Sequence, residues 1–330
     1  MSAVAAGDSQ RDRPRALFVS WLVRPEAPAL AFLIALFVFL SLTASGFLTA
    51  ANVGSILTSI AVLGIVALGV NMVVLTGEID ISVGSALGLC AVASGTAAKS
   101  GGLAFALVAG IGVGVLVGSV NGFLVTFGRV PSIIVTLGML YALQGLILIV
   151  TGGNTITGLP QGARTFALSD VVSINVSIFV LAGAFVVVAV LARSTTWGRD
   201  VYAVGGNRRA AAYAGVPSRR TRWLAFVLTG ALVGLASVVF FGRVGVVPTN
   251  AGQGLELQVI AAVVIGGTSI AGGRGSPLAA VIGAVLIGVF LNGLVLLNVP
   301  GVWQNVVVGG LILLAIATDA LRRQLVAEGT

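Results

Sequence analysis

The stretch RSTTWGRDVYAVGGNRRAAAYAGVPSRRTRW, residues 193–223, lies between two long, uncharged apolar runs. It holds seven of the 18 Lys and Arg residues of the chain. A basic, polar segment between two such runs is typical of a cytoplasmic loop in a helical membrane protein. The simplest interpretation is that this loop only sets the orientation of its neighbours.

The middle of the loop also has the pattern of a short helix. Asn207 can cap its N-terminus, and residues 208–213 are rich in alanine. Gly215 suits the left-handed position after a helix, and Pro217 stops any continuation. One or two isolated turns are unstable in water. We therefore expect a partner protein to hold this helix.

The composition predicts an all-α integral membrane protein. The chain is 58% hydrophobic and 8% charged, whereas soluble domains have about 25% charged residues. Apolar runs of about 20 residues span a bilayer, and about ten are present, so we predict about ten transmembrane helices. The third and eighth runs are short, so either can be re-entrant. The runs cover roughly 28–48, 53–76, 83–98, 103–127, 132–150, 172–192, 223–241, 257–270, 276–297 and 301–318.

The basic residues give the orientation of these runs. With a cytoplasmic N-terminus and ten spans, most of the basic residues lie in the cytoplasmic segments. An excess of Lys and Arg on the cytoplasmic side is usual in membrane proteins. Because they lie at span ends, the positive net charge does not indicate nucleic-acid binding. The inside residues are Arg11, Arg13, Arg15, Arg24, Arg129, Arg193, Arg199, Arg208, Arg209, Arg219, Arg220, Arg222, Arg274, Arg322 and Arg323; the outside ones are Lys99, Arg164 and Arg243.

The expected organisation is a cytoplasmic segment at 1–27, a transmembrane domain at 28–320 and a cytoplasmic tail at 321–330. The basic loop at 193–222 belongs to the domain. The first apolar run is too long for the 7–15-residue core of a typical signal peptide. We therefore expect it to remain as a span.

The residue inventory argues against catalysis in this chain. It has no His, so His-based triads, metal clusters and proton shuttles are excluded. The single Cys90 lies in an apolar run, and we expect it to pack there. The phosphate-binding motif of ATPases is absent. We predict no catalytic residue, no metal and no cofactor, so any ATP hydrolysis belongs to another polypeptide.

Two acidic residues lie between apolar runs in LTGEIDISVGS, residues 75–85. A carboxylate deep in a bilayer costs about 3 kcal/mol on the insertion scale. Asp80 or Ser82 can cap a helix that starts near Val83. Alternatively, Glu78 and Asp80 line a polar cavity or are solvated in a turn. The capping interpretation predicts that Asp80→Ala lowers stability more than Glu78→Ala.

The chain also shows signs of an internal repeat. VVLTGEIDISVGS at 73–85 is similar to VVIGGTSIAGGRGS at 263–276, and an Asn-Gly pair follows each, at 121 and 292. Transporters are often built from such repeats. Neutral polar residues in or beside the apolar runs are candidates for a translocation path, although each can instead bond to a neighbouring helix. They are Asn71, Thr76, Asn121, Gln144, Gln258 and Asn292.

Three motifs together resemble a known family. LTGEIDISVGS (75–85), GGNRRAAAYAGV (205–216) and LELQVIAAVVIGGTSIAGGRGS (255–276) are similar to the permease subunits of ribose-type sugar ABC importers. The resemblance covers about residues 51–319. It implies a multi-pass subunit of the bacterial inner membrane that pairs with a second permease, identical or homologous. It also implies separate ATPase subunits and a periplasmic sugar-binding protein as partners.

In this family the basic loop carries the helix that couples to the ATPase. The resemblance assigns that role here to Asn207, Arg208, Arg209, Ala210, Ala211, Ala212 and Gly215. The expected substrate is a ribose-type monosaccharide. Glu78 departs from the glycine of the ribose-type pattern, and TGGNTITGLP at 151–160 looks like the autoinducer-2 permeases. Import of autoinducer 2 or rhamnose is therefore an alternative, as is a passive channel.

Overall fold

The computed structural model describes residues 26–160, 162, 168, 170–171, 174–304, 306–310 and 313. Within these ranges the protein is nearly all helical. Most of the predicted N-terminal segment, Arg164 and the C-terminal tail lie outside the described residues. The last apolar run is described in part, and residues 301–304 and 306–310 of it are helical.

Six of the described helices are long and apolar enough to cross a membrane: α2, α3, α4, α5, α8 and α10. Helices α1 and α9 are apolar but shorter. Between α4 and α5, strands β1 (Asp170–Val171) and β2 (Ile174–Asn175) form an antiparallel pair. The helices are α1 (Ala27–Thr43), α2 (Ala50–Leu75), α3 (Val83–Thr126), α4 (Ser132–Thr151), α5 (Val176–Ser194), α6 (Thr196–Gly206), α7 (Arg208–Tyr213), α8 (Ser218–Val244), α9 (Leu255–Ile265) and α10 (Pro277–Leu296).

The 44 residues of α3 fold back on themselves at Gly102. This glycine has φ +65° and ψ −154°, inside an otherwise helical segment. The Ser94 hydroxyl donates a hydrogen bond to the Ala106 carbonyl oxygen at 2.9 Å. In a straight helix twelve residues would separate these two by about 18 Å. Helix α3 is therefore a hairpin of two antiparallel arms, and glycine permits its reversal because it has no Cβ.

Helix α2 forms the centre of the protein. Every residue from Ile60 to Thr76 is buried, and helices α5, α8, α9 and α10 all pack against it. Helices α4 and α5 lie at the periphery and expose large apolar side chains, including Ile149 and Val186. An exposed apolar surface of this kind is suited to contact with lipid.

Helices α3 and α8 cross at glycines. Gly110, Gly114 and Gly118 of α3 face Gly230 and Gly234 of α8. A Cβ on Gly114 would collide with the Gly230 carbonyl oxygen, and a Cβ on Gly230 would collide with that of Gly114. Small residues allow this close approach of helix backbones in membranes. The glycines at 110, 114 and 118 thus pack against one specific partner helix, α8.

Replacing Gly114 with alanine is expected to destabilise the protein by about 1–3 kcal/mol, the usual effect of overpacking. Gly112 is the matched control, because nothing lies within 4 Å of the Cβ position there. Alanine at 112 should be neutral or stabilising, since it favours the helix. Thermal unfolding of both variants in detergent measures the difference. Equal unfolding temperatures would contradict the crossing.

The two segments of the suspected repeat end their helices in the same way. Each helix closes with a pair of backbone hydrogen bonds around a glycine of positive φ, the Schellman pattern. The glycines are Gly77 and Gly267, with φ values of +78° and +115°. The bonds are Glu78 N to Val73 O and Gly77 N to Val74 O after α2, and Thr268 N to Val263 O and Gly267 N to Val264 O after α9.

Candidate functional site

The three sequence motifs meet at one place, which we call the glycine junction (Gly77, Gly205, Gly272 and Gly273). The Gly273 N–H donates to the Leu75 carbonyl oxygen at 2.9 Å. A Cβ on Gly205 would collide with that same oxygen, and a Cβ on Gly272 would lie 2.8 Å from the Gly77 nitrogen. The end of α6 therefore packs directly on the loops after α2 and α9.

A second connection between the motifs is ionic, and we call it the Glu78 clamp (Glu78, Arg208 and Arg222). One carboxylate oxygen of Glu78, Oε1, lies 2.7 Å from Arg208 Nη2 and 2.7 Å from Arg222 Nη1. The side chains of Glu78 and Arg222 are 9% and 10% exposed, whereas that of Arg208 is 48% exposed. The clamp joins the α2–α3 loop to α7 and to the start of α8.

Sequence reasoning missed this role of Glu78, although the signal was present. Glu78 is an acidic residue in a predicted cytoplasmic turn, and the basic loop supplies several positive charges on that side, although the sequence does not indicate which of them it meets. Glu78 caps no helix and is buried rather than solvated, so of the alternatives to capping only the polar cavity agrees with its position. It borders a cavity, which is lined by basic side chains.

Asp80 forms a separate network with Ser82 and Asn121. Asp80 Oδ1 accepts hydrogen bonds from the Ser82 backbone N–H at 2.9 Å and from the Ser82 hydroxyl at 2.7 Å. The Asn121 amide donates to the Ser82 hydroxyl at 2.8 Å. Burial raises the pKa of the Asp80 carboxyl, and the hydrogen bonds from Ser82 and Asn121 oppose that rise.

The predicted cap of α3 therefore takes a different form. Ser82 occupies the cap position, but its side chain makes no hydrogen bond to a backbone N–H of the first turn. The hydroxyl is already used by Asp80 and Asn121. Asp80 organises the turn before the helix, and does so through Ser82.

The short helix of the basic loop has the predicted bounds and caps. Helix α7 runs over Arg208–Tyr213, and Asn207 Oδ1 accepts a hydrogen bond from the Ala210 N–H at 3.0 Å. Gly215 has φ +82°, in the left-handed region that was expected. The local signals of this helix were thus sufficient to predict it.

The two faces of α7 differ in exposure. Arg209, Ala210 and Ala212 are exposed, and Tyr213 is 93% exposed. Ala211 is buried within the chain itself. The exposed surface of α7 therefore includes Tyr213, which the sequence-based selection omitted, and excludes Ala211.

Three of the six candidate path residues line cavities. Gln258 and Asn292 border a cavity of about 440 Å³ between α2, α8, α9 and α10, together with Gln253. Gln144 borders a second cavity of about 200 Å³, and Gln253 lines this one as well. Asn292 also exchanges amide hydrogen bonds with Asn52, at 2.7 and 3.1 Å.

The other three candidates lie in contacts within the protein and line neither cavity. Asn71 accepts a hydrogen bond from the Thr268 hydroxyl at 2.7 Å, so it joins α2 to the loop after α9. The Thr76 hydroxyl donates to the Val73 carbonyl oxygen of its own helix. Asn121 belongs to the Asp80 network.

Comparison with known proteins places this architecture in a family. Residues 52–316 match the family described as branched-chain amino acid transport system / permease component. No solved structure matches the chain. Three similar relatives are autoinducer 2 import system permease proteins LsrC. The one from Enterobacter sp. (strain 638) is 39% identical over 91% of this chain and 88% of its own length.

The relative from Salmonella typhi is 38% identical over 88% of this chain and 84% of its own length. The relative from Yersinia enterocolitica serotype O:8 / biotype 1B is 38% identical over 88% of this chain and 81% of its own length. These matches extend over the glycine junction, the Glu78 clamp and α7, and they imply the ATPase and periplasmic binding protein expected as partners. The chain thus belongs to the permease family of ABC importers, as a multi-pass transport subunit of the bacterial inner membrane and not an enzyme.

Proposed function

We propose that this permease imports autoinducer 2 or a closely similar sugar-like molecule, in preference to ribose. The observation that carries the proposal is the 38–39% identity to autoinducer 2 permeases over most of the chain. The amide and hydroxyl groups around the larger cavity support it, since a neutral polyhydroxylated solute is held by such groups. They include Gln253, Gln258 and Ser59.

Uptake by cells that express the permease with its ATPase and binding protein tests this proposal. We expect ATP-dependent uptake of autoinducer 2, with ribose and rhamnose transported poorly. Preferential uptake of ribose or rhamnose would overturn the assignment of autoinducer 2 as the substrate. Uptake without the ATPase would indicate a passive channel.

In the same assay Gln258→Leu should reduce uptake, because Gln258 borders the proposed path.

The proposed topology has ten spans and two cytoplasmic ends. The two arms of α3 supply two spans, α1 and α9 supply two more, and residues 301–318 supply the last. The segments at 1–27 and 321–330, together with the loop at 193–222, are then cytoplasmic. The matched helix ends of α2 and α9 support an internal repeat. We also propose that this permease pairs with a second permease chain, identical or homologous.

We expect a cysteine at position 210, introduced after replacement of Cys90, to be labelled only from the cytoplasm. Position 210 is suitable because Ala210 is exposed on α7. A membrane-impermeant maleimide reaches the cytoplasmic face in inverted vesicles and the periplasmic face in intact spheroplasts. Labelling from the periplasmic side would exclude the ten-span arrangement.

The proposed mechanism passes movement from the ATPase to the central helix. The ATPase holds the exposed face of α7. Helix α7 is tied to the α2–α3 loop by the Glu78 clamp, and α6 is tied to the ends of α2 and α9 by the glycine junction. A displacement of α7 would therefore move the end of α2. The permease alternates between a state open to the outside and a state open to the inside. ATP can shift this equilibrium only if the ATPase binds the two states with different affinity.

Tyr213→Ala is expected to weaken binding of the ATPase on the order of 30-fold, as loss of an aromatic hot spot of about 2 kcal/mol would. Stability should not change, because Tyr213 makes little contact within the chain. Tyr141→Ala, which removes another exposed tyrosine on α4, is the control. ATPase pull-down and uptake measure both variants. Normal binding with Tyr213→Ala would mean that α7 only sets topology.

The burial of Ala211 and the conformation of Gly215 also decide which substitutions can test the coupling of α7 to the ATPase. Ala211→Glu would disturb the packing of the permease itself, because Ala211 is buried. Gly215→Val would strain the left-handed turn at φ +82°. Only a substitution on the exposed face separates contact with the ATPase from folding of the loop.

A further inference from the structure

A cavity of about 380 Å³ lies beside the Glu78 clamp, where the turn between α3 and α4 approaches the start of α8. Four arginines and one glutamate line it: Arg129, Arg208, Arg219, Arg222 and Glu78. The formal charge of these groups is +3. Val125, Val130 and Pro131 line the same cavity, so it combines a strongly basic wall with an apolar one.

Two of the four arginines have no carboxylate partner. Glu78 Oε1 is shared between Arg208 and Arg222. Arg129 and Arg219 form no ion pair with any residue in the part of the chain that the structure describes. Four guanidinium groups around one space repel each other unless an anion is present. Because Glu78 offsets only one of the four positive charges, the cavity favours an anionic ligand.

Arg129 is held in an unusual backbone conformation at this site. Its φ is +58°, and Asn298 is the other non-glycine residue of positive φ within the described ranges. Such a conformation is strained for a residue with a Cβ. The turn Phe127–Pro131 thus fixes the direction of Arg129 at the rim of the cavity.

The chemistry of the wall indicates a phosphate group. Guanidinium groups bind phosphate oxygens through paired hydrogen bonds and are less strongly hydrated than ammonium groups. A phosphate held between Arg129 and Arg219 would also reach Arg208, which is half-exposed.

The surroundings of the cavity indicate that this phosphate belongs to a lipid. Phe123, on the last turn of α3, and Phe127, directly after its end, are 57% and 44% exposed, with ring centroids 5.4 Å apart. Ile134, on the first turn of α4, is 63% exposed. Acyl chains can lie on this apolar surface. Basic pockets between helices on the cytoplasmic side bind anionic headgroups.

We propose that this cavity binds the headgroup phosphate of an anionic phospholipid in the cytoplasmic leaflet, with Arg129 and Arg219 as its main contacts. The acyl chains lie along Phe123, Phe127 and Ile134. The inference rests on the proposed cytoplasmic position of this end of the helices, and it does not depend on which solute is imported. Because Arg208 and Arg222 also form the Glu78 clamp, the bound lipid adjoins the coupling helix.

The test is lipid binding to the intact purified permease in neutral detergent, followed by native mass spectrometry. Dioctanoyl phosphatidylglycerol is compared with dioctanoyl phosphatidylcholine and with inorganic phosphate. We expect phosphatidylglycerol to bind more tightly than both. Equal retention of inorganic phosphate would identify the ligand as free phosphate and overturn the lipid assignment.

The variant Arg129→Gln/Arg219→Gln should bind phosphatidylglycerol roughly 25-fold more weakly, about five-fold for each arginine removed. The control Arg199→Gln/Arg274→Gln removes the same charge from two exposed arginines outside the cavity, and should bind as the unchanged protein does. Arg129→Lys/Arg219→Lys should have an affinity between these two, because lysine keeps the charge but loses the paired hydrogen bonds. Equally weakened phosphatidylglycerol binding in the control variant would show that Arg129 and Arg219 do not form the binding site.

A last comparison separates a lipid from the ATPase as the occupant. If these arginines contact the ATPase, Arg129→Gln/Arg219→Gln would reduce ATPase pull-down and leave phosphatidylglycerol binding unchanged. That result would overturn the proposal. We expect the reverse, with pull-down unchanged and lipid binding reduced. Impermeant labelling at position 210 reports the membrane orientation independently of both measurements.

Discussion

Replacing Glu78 with alanine is expected to lower the free energy of unfolding by about 3–5 kcal/mol, the usual effect of removing one partner of a buried ion pair. Arg222 would keep its charge in a buried position, and among the described residues its one remaining hydrogen-bond acceptor would be the Ser218 carbonyl oxygen at 3.3 Å. Transport should fail as well, because α7 would lose its ionic connection to the α2–α3 loop. Thermal or urea unfolding in detergent and uptake in cells measure the two effects.

The two arginines of the clamp provide the controls for this prediction. Arg208→Gln should cost less than about 1 kcal/mol, because Arg208 is half-exposed and its pair is weakened by solvent. Arg222→Gln removes the buried partner and should cost clearly more. Glu78→Ala/Arg222→Ala should recover part of the loss, since no buried charge remains unpaired. A harmless Glu78→Ala would show that the clamp is not formed.

The structure also reverses the expected order of the two acidic residues. The capping interpretation predicts a larger effect for Asp80→Ala than for Glu78→Ala. Asp80 accepts two hydrogen bonds from Ser82, and each typically contributes about 1 kcal/mol. Loss of Glu78 isolates a buried cation, which is the more costly change. We therefore expect Glu78→Ala to be the more damaging substitution.

Replacing Gly205 with alanine is expected to destabilise the protein and to abolish uptake. The added Cβ would collide with the Leu75 carbonyl oxygen, and the Gly273 nitrogen is also adjacent. Both obstacles are backbone atoms, so no side-chain rotation relieves the overlap. The end of α6 would have to move away from α2, at a cost of at least about 1–3 kcal/mol. Uptake should be abolished, because the junction would open.

Gly206 provides a control one residue away. Nothing lies within 4 Å of the Cβ position at Gly206, and alanine is favoured over glycine in a helix. Gly206→Ala should therefore leave the unfolding temperature and uptake unchanged or slightly improved. Parallel measurements on the two variants separate the close contact from a general effect of the loop. Similar loss of function in both would argue against the glycine junction.

Local features of this structure were predictable from the sequence. Apolar runs predicted the helical class because a helix satisfies its own backbone hydrogen bonds inside a membrane. Helix α7 was predictable because its cap, its alanines and Gly215 act within ten residues of each other. The positions of Gln258 and Asn292 beside a cavity agree with their selection as polar residues in apolar surroundings.

Features that depend on distant contacts were not predictable in this way. Glu78 is separated from Arg208 by 130 residues and from Arg222 by 144, and no local signal indicates which cation it meets. Asn71 and Asn121 have the same polarity as Gln258, yet they bond to Thr268 and Ser82. Burial of Ala211 likewise depends on the rest of the chain. In each of these cases the contact is decided by residues far away in the chain.

The crossing of α3 and α8 limits how this protein can recover from mutation. When a side chain becomes too large, a second mutation that shortens its neighbour often restores the fit. At this crossing the neighbour is already glycine, and the atom in the way is a carbonyl oxygen. No amino acid replacement removes that atom. A genetic selection for revertants of Gly114→Val should therefore return smaller residues at position 114 itself, and almost no suppressors at Gly230.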